Sequence, residues 1–214
     1  MYALAIASAI KLFVGDCIAE IQLLDELAML AEERGATHWR INEQCCRGCL
    51  LTLSGNPSDA IQMLTTGITA LRSIGATTST LLYLPWLALA YAQLGKSDEA
   101  WRCISEALTL IEQSDQRITE AEVHRVAGEI TLASGLPDEK KAEEHFAYAL
   151  AVARQQQAKS WELRAAMSLA RLWRSQGKVQ QARELLAPVY GWFTEGFDTR
   201  DLKEAKALLD VLAS

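Results

Sequence analysis

Apolar residues recur along this chain at the spacing of one helix face, and short polar turns separate each such segment from the next. Leu84, Leu87, Ala88 and Tyr91, for example, lie at positions i, i+3, i+4 and i+7, the spacing of a helix that buries one side. No stretch alternates apolar and polar residues without also fitting a helix, so the pattern predicts an all-α fold. Eleven helices are predicted, near residues 3–17, 17–34, 37–54, 57–73, 79–94, 97–113, 118–134, 139–156, 160–176, 179–194 and 199–213.

One sequence unit occurs five times. Five glycines stand 40, 40, 40 and 42 residues apart, and a small residue precedes each of them by seven positions. A large apolar residue follows each glycine in the next predicted helix. This register predicts helix pairs with the glycine at the turn and one point of close backbone approach in each pair. The glycines are Gly15, Gly55, Gly95, Gly135 and Gly177; the small residues are Ser8, Gly48, Ala88, Gly128 and Ala170; the large residues are Leu24, Leu64, Ile104, Phe146 and Leu186.

The repeats organise the whole chain, residues 1–214, as a single helical-repeat domain. The last predicted helix, 199–213, has one apolar stripe and a polar remainder, which is typical of a capping helix. Within the repeats, Ser97 is predicted to cap the sixth helix, and Pro85 to kink the fifth helix or shift its start. The five repeats cover about 1–35, 36–75, 76–117, 118–158 and 159–196.

Composition favours an ordinary soluble protein, since 50% of residues are hydrophobic and 22% are charged. The longest apolar stretch, Tyr2 to Val14, is interrupted by Lys11 and is shorter than the roughly 20 residues that cross a bilayer. It also lacks the features of a secretory signal. The five cysteines are odd in number and fall in helical patterns, which favours free thiols in a reducing compartment. We therefore expect a cytoplasmic protein that does not bind membranes.

The net charge of −6 argues against direct binding of nucleic acid. The charge is unevenly distributed, however. Residues 151–190 hold seven Lys and Arg against two Asp and Glu, so one late repeat is basic in an otherwise acidic chain.

Motifs for catalysis are absent from the sequence. Cys46 and Cys49 are spaced like metal ligands, but no further ligands stand at a comparable spacing, and packing is the better interpretation of both. No Ser/His/Asp or Cys/His set follows from the spacing, and no phosphate-binding loop occurs. We expect no catalytic residues, no metal site, no cofactor and no enzymatic activity in this chain.

The small, aromatic and alanine positions resemble the tetratricopeptide repeat. The resemblance is carried by Leu87-Ala88-x-x-Tyr91-x-x-x-Gly95-x-x-x-x-Ala100 and by Leu169-Ala170-x-x-Trp173-x-x-x-Gly177-x-x-x-x-Ala182. The period exceeds that family's 34 residues. The resemblance implies a right-handed superhelix of antiparallel helix pairs that ends in the capping helix.

A narrower resemblance indicates a function. The segments Glu120–Glu129, Ser160–Ala166 and Leu186–Thr199 look like the C-terminal repeat region of bacterial multidomain signalling proteins, in which a class III nucleotide cyclase or a DNA-binding regulator precedes an ATPase module. The resemblance implies a protein- or ligand-binding sensor or scaffold that regulates the attached ATPase or cyclase in signal transduction. The alternative is a self-standing tetratricopeptide adaptor that holds a peptide in its concave groove.

In a tetratricopeptide-like stack, Arg164, Arg171, Arg174 and Lys178 share a stripe that faces the groove, and acidic residues hold the corresponding places one repeat earlier. Two interpretations remain open: a ladder of ion pairs between repeats, or a mixed-charge groove for an acidic peptide or a phosphate-bearing ligand. Both predict that Glu122 lies opposite Arg164 and Glu129 opposite Arg171. The candidate groove residues are Trp39, Glu122, Arg125, Glu129, Trp161, Arg164, Arg171 and Arg174.

The first helix is apolar on more than one side, with Lys11 its one clear charge. A single neighbouring helix cannot cover that surface, so we expect the chain to be a fragment of a longer array. In the isolated chain we expect a weak homodimer through this helix. The candidate contact residues are Leu4, Ile6, Ile10 and Phe13.

Overall fold

The structure, a computed structural model, describes residues 1–14 and 17–213, with the backbone alone for residues 9, 12–14 and 17–20. The predicted all-α fold is confirmed, and no strand occurs in this part of the chain. Nor is any helix in it long and apolar enough to cross a bilayer. The helices are α1 (Tyr2–Val14), α2 (Cys17–Glu33), α3 (Thr37–Leu53), α4 (Pro57–Ser73), α5 (Thr77–Gln93), α6 (Ser97–Ser114), α7 (Glu120–Ala133), α8 (Glu139–Gln155), α9 (Lys159–Ser175), α10 (Val179–Tyr190) and α11 (Arg200–Ala213).

The helices fall into two compact units. Unit 1, Met1–Arg117, contains α1 to α6, and unit 2, Ile118–Ser214, contains α7 to α11. The division coincides with the predicted boundary between the third and fourth repeats. Within each unit the helices pack against one another in chain order, and alternate helices also touch: α1, α3 and α5 in unit 1, and α7, α9 and α11 in unit 2.

In the second and fourth helix pairs the repeated small residue lies against the repeated large residue. A Cβ atom on Gly48 would lie 2.6 Å from Leu64 Cγ, and a Cβ atom on Gly128 would overlap the ring of Phe146. Leu24, Ile104 and Leu186, at the equivalent large positions, are completely buried, as are Leu64 and Phe146. In these two pairs the predicted close approach brings the second helix against a glycine, which has no side chain.

The turns between helices share one hydrogen-bonding pattern. Five glycines, Gly35, Gly55, Gly75, Gly95 and Gly177, have left-handed φ angles between 59° and 78°. The amide after each glycine donates to the carbonyl five residues earlier, at 2.8 to 3.0 Å, which closes the helix end as a Schellman motif. Gly15 lies outside the described residues, and Gly135, in the longer fourth turn, does not have a left-handed φ.

The capping helix is confirmed as a helix with one buried face. Leu202, Ala205, Leu208 and Leu212 are buried, Leu209 is half-buried, and the helix packs on α9 and α10. It therefore occupies the place that the first helix of a further repeat would take.

Local predictions at two helix ends need correction. The N-cap of α6 is Lys96, so Ser97 is already the first helical residue. Helix α10 ends at Tyr190 rather than 194, just before Gly191. Pro85 lies inside α5, as in the predicted range 79–94, and α5 begins at Thr77, two residues earlier than predicted. The kink at Pro85 stays a prediction.

The turn after α8 offers a test of this helix-end geometry. Gln157 occupies the position that glycine holds in the five other turns, with φ 54°, and Ala158 N donates to Ala153 O at 2.9 Å. A residue with a Cβ loses about 1 to 2 kcal/mol in this conformation. Gln157→Gly should therefore raise the free energy of unfolding by about 0.5 to 1 kcal/mol, after allowing for the greater chain entropy of unfolded glycine.

Urea denaturation measures this change. Gly177→Ala, at φ 77°, is the matched reverse substitution and should lower the free energy of unfolding by about 1 kcal/mol. A Gln157→Gly chain less stable than the wild type would contradict the assigned turn.

Candidate binding surface of unit 2

Helices α7, α9 and α11 carry charged side chains on the faces that meet. Arg125 on α7 forms a bidentate ion pair with Glu122. Its Nε and Nη2 atoms each donate to one carboxylate oxygen at 2.8 Å. Its Nη1 atom reaches Glu129 Oε1 at 3.2 Å. Since these residues lie three and four positions apart on one helix, the helical repeat itself brings them together.

Arg164 on α9 joins the three helices. Its Nε atom donates to Asp201 Oδ2 on α11 at 2.6 Å, and its Nη1 atom lies 3.5 Å from Glu122 Oε1 on α7. The guanidinium also stands over the ring of Trp161, 5.3 Å from its centroid. Only 8% of the Arg164 side chain is exposed, so this ion pair is shielded from solvent.

The outer part of the network is open to solvent. Ser168 Oγ donates to Glu129 Oε1 at 2.7 Å, while Arg171 Nη2 donates to Glu204 Oε2 at 2.9 Å. Glu204 also pairs with Arg200 at 2.7 Å. The Arg171 side chain is 44% exposed, which separates it from the buried arginines of the same network.

The charges in this network cancel. Four acids and four arginines take part, and each is paired with at least one opposite charge. Burial alone raises the pKa of Glu122, but the neighbouring Arg125 and Arg164 charges outweigh it and hold the pKa below 4.5. Burial lowers the pKa of Arg125, but the neighbouring acids, Glu122 first among them, outweigh burial and raise it. Consequently the inner arginines have no surplus charge for an added anion.

A cavity of about 290 Å³ lies beside the network. Its walls come from the second half of α7, the following turn and the second half of α9. Leu132, Pro137 and Leu172 supply apolar surface, and the polar lining consists of Glu129, Glu139, Ser168, Arg171 and Ser175.

The structure brings together most of the predicted groove residues. Glu122 and Arg164 form the predicted pair. Glu129 and Arg171 line the same cavity but form no ion pair with each other, because Arg125 and Glu204 are the partners they reach instead. Glu129 and Arg171 therefore face one cavity from two helices, as predicted, without the ion pair of the ladder interpretation.

Two of the predicted cations differ from the rest. Arg174 is exposed, and its guanidinium forms no ion pair with any residue that the structure describes. Lys178 is not on the predicted stripe, because α9 ends at Ser175 and Lys178 is the N-cap of α10. Its Nζ atom lies 3.7 Å from Glu143 Oε2.

The two predicted rim tryptophans are in different environments. Trp161 in unit 2 is buried beneath Arg164, so it supports the ion pair rather than closing a rim. Trp39 in unit 1 is half-buried, with edge contacts to Tyr2 at 6.0 Å and to His38 at 5.0 Å between ring centroids.

Sequence analysis missed the contribution of α11. Asp201 and Glu204 belong to the polar remainder that was predicted to face solvent, and neither Arg200 nor Ser168 was singled out. A signal was present, however, because α11 packs where the first helix of a sixth repeat would lie. The polar residues of α11 then face α9, in the same way as the polar residues of α9 face α7.

The cysteines whose side chains the structure describes lie in the protein interior. Cys45, Cys46, Cys49 and Cys103 are buried thiols, and burial raises the pKa of Cys103 to about 11. The side chain of Cys17 is outside the described residues. No group of three His, Cys, Asp or Glu residues suited to a metal ion occurs in the part of the chain that the structure describes.

His124 lies in an aromatic contact between α7 and α8. Its ring is 4.3 Å from that of Tyr148 and 5.8 Å from that of His145, between centroids. Burial and the neighbouring His145 lower the pKa of His124, while Glu120 opposes them. The Tyr148 hydroxyl donates to Glu120 Oε1 at 3.2 Å, so these residues form a polar and aromatic contact between the two helices.

The predicted self-association residues lie on α1. Ile6 is 45% and Ile10 is 54% exposed, and Leu4 is half-buried. The side chain of Phe13 is outside the described residues.

No protein-family model matches the chain, and no curated protein is significantly similar to it.

The buried ion pairs give a stability prediction. Glu122→Gln removes the charge that two buried arginines share, and breaking such a pair costs about 3 kcal/mol. Glu204→Gln, on the exposed side of the network, should cost about 1 kcal/mol or less. Urea denaturation at pH 7 measures both values. Equal losses for the two variants would show that Glu122 is not in a shielded network.

The lowered pKa of Glu122 also predicts that its contribution to the free energy of unfolding depends on pH. Because the pKa of Glu122 is lower in the folded chain than its ordinary value of 4.5, the unfolded chain takes up this proton first as the pH falls. Its contribution is therefore present above pH 4.5 and lost below it, and the difference between wild type and Glu122→Gln should shrink on acidification.

Proposed function

We propose that this chain is a non-catalytic, tetratricopeptide-like repeat domain that binds an acidic peptide segment of a partner protein across α9 and α11. Helix pairs that pack in chain order with a 40-residue period support the repeat architecture. A right-handed superhelix with a concave groove is part of the same proposal.

The observation that carries the proposal is the position of the exposed cations. Arg125 and Arg164 are committed to buried acids, whereas Arg171 and Arg174 on α9 are open to solvent, and Arg171 lines a cavity with apolar walls. Exposed guanidinium groups present several N–H donors to a carboxylate, and the apolar wall can hold the adjoining side chain. A phosphate-bearing ligand would use the same two arginines.

The biological role proposed for this binding is regulation. The domain acts as a sensor or scaffold that controls an attached ATPase or nucleotide cyclase in bacterial, cytoplasmic signal transduction. The resemblance of the segments 120–129, 160–166 and 186–199 to such proteins supports this role. A self-standing adaptor that holds a peptide is the alternative, and it requires no attached module.

Peptide selection tests the binding proposal. A displayed random-peptide library is selected on the immobilised chain, and the affinity of enriched peptides is measured by fluorescence anisotropy. Enriched peptides should be acidic, and Arg171→Gln combined with Arg174→Gln should weaken binding at least tenfold, because two charge-assisted contacts are lost. The melting temperature should stay nearly unchanged, since exposed charges contribute little.

A matched control has the same change in charge elsewhere. Arg183→Gln combined with Arg102→Gln replaces two exposed arginines on α10 and α6 and should leave peptide affinity unchanged. If both double variants weakened peptide binding equally, the loss of affinity would be an effect of net charge alone. Failure of the selection to enrich any peptide would contradict the proposal.

Self-association through α1 is a second, independent proposal. Ile6 and Ile10 are about half exposed, whereas Cys46, one repeat after Ile6, is buried and Leu50, one repeat after Ile10, is half-buried. Apolar burial is worth about 25 cal/mol per Å², and the entropy of association offsets part of it.

We therefore expect a weak dimer in sedimentation at high concentration, abolished by Ile6→Glu with Ile10→Glu. The exposed Ile118→Glu in unit 2 is the control. A chain that stays monomeric, or a dimer indifferent to the α1 substitutions, would contradict this proposal.

A further inference from the structure

The cavity beside Arg171 combines three kinds of lining. One wall offers the guanidinium of Arg171, another offers the carboxylates of Glu129 and Glu139, and Leu132 and Leu172 supply the apolar surface. All of these groups border a space of about 290 Å³. That volume is at the lower end of ligand pockets, which span roughly 300 to 1,000 Å³, so it suits a small molecule.

Each charged group in the lining retains bonding capacity. Arg171 donates one N–H to Glu204, which leaves four of its five donors for a ligand. Glu129 accepts from Arg125 and Ser168 through Oε1 alone, and no described residue bonds its Oε2. Glu139 accepts an amide N–H from Gln176 at 2.9 Å and has no ion pair with the described residues.

These groups define a complementary ligand. A carboxylate on the ligand matches Arg171 in charge and geometry. An ammonium group on the ligand matches Glu129 and Glu139. Glu129 shares its one cation, Arg125, with Glu122, and Glu139 has no ion pair with the described residues. The apolar wall matches a short hydrocarbon side chain. An internal peptide segment has neither the free ammonium nor the free carboxylate at its backbone, whereas a free amino acid has both on one carbon.

We propose that this cavity binds a free, zwitterionic α-amino acid with an apolar side chain. Arg171 holds the carboxylate, Glu129 and Glu139 hold the ammonium group, and Leu132, Pro137 and Leu172 contact the side chain. The inference rests on the proposed function to the extent that both use Arg171 as the anion-binding group, but it assigns a different ligand to the cavity.

Isothermal titration calorimetry of the full chain tests the assignment. The probes are L-leucine, L-isoleucine, L-valine, L-methionine and L-phenylalanine, each to about 10 mM, a range that detects dissociation constants near 1 mM. At least one should bind. Its N-acetyl derivative, which lacks the ammonium group, and its amide, which lacks the carboxylate, should each bind at least tenfold more weakly.

Variants connect the binding to the cavity. Arg171→Gln and Glu129→Gln should each weaken the amino acid at least tenfold, while Arg183→Gln on α10 should leave its affinity unchanged. Circular dichroism melting confirms that each variant is folded. Ser175→Trp, which fills the cavity without removing a charge, should abolish binding and provides a second test if a charge variant is unstable.

The outcomes separate this inference from the proposed function. Absence of binding by all five amino acids overturns the inference, even if acidic peptides bind. Equal affinity for the amino acid and its acetylated derivative also overturns it, as does binding that the Arg171, Glu129 and Ser175 variants leave intact. An amino acid that binds in the predicted manner, with no peptide enriched by selection, supports the inference and contradicts the proposed function.

Discussion

Close packing between a small residue on one helix and a large residue on the next is the constraint on which the structure depends. In the second and fourth pairs a glycine backbone lies against Leu64 or Phe146, with no room for a Cβ atom. Helices that approach so closely exclude water along their contact, and the buried large side chain then fixes their register. Within each unit the helices pack in chain order, because each helix pair meets chiefly its neighbours.

The polar network of unit 2 depends on packing between alternate helices. Once α7, α9 and α11 lie side by side, the charges on their facing surfaces lose water, and an unpaired charge there would be strongly destabilising. Glu122, Arg125 and Arg164 satisfy one another inside the stack, while Arg171 remains at its open edge. Packing therefore determines which arginines stabilise the fold and which can meet a ligand.

Periodicity predicted the fold well because it reports packing directly. Every helix in the described part of the chain was predicted, since apolar spacing marks each of them and a glycine follows several of them. The Lys96 cap was not predictable, because residue type favours Ser97 at that position. The site was predicted in part. Equivalent positions paired Glu122 with Arg164, but the contacts of Glu129 and Arg171 depend on rotamers, on Ser168 and on Glu204 of α11, which lies outside the five repeats.

A double-mutant cycle at Gly128 and Phe146 tests the packing constraint most directly. Gly128→Ala adds only a methyl group and gains helix propensity of about 1 kcal/mol, yet overpacking should make it destabilising by about 1 to 3 kcal/mol. In a Phe146→Leu background the smaller side chain leaves room, so the same substitution should cost at least about 1 kcal/mol less. Effects that add within about 0.5 kcal/mol, or a Gly128→Ala chain more stable than the wild type, would contradict the account.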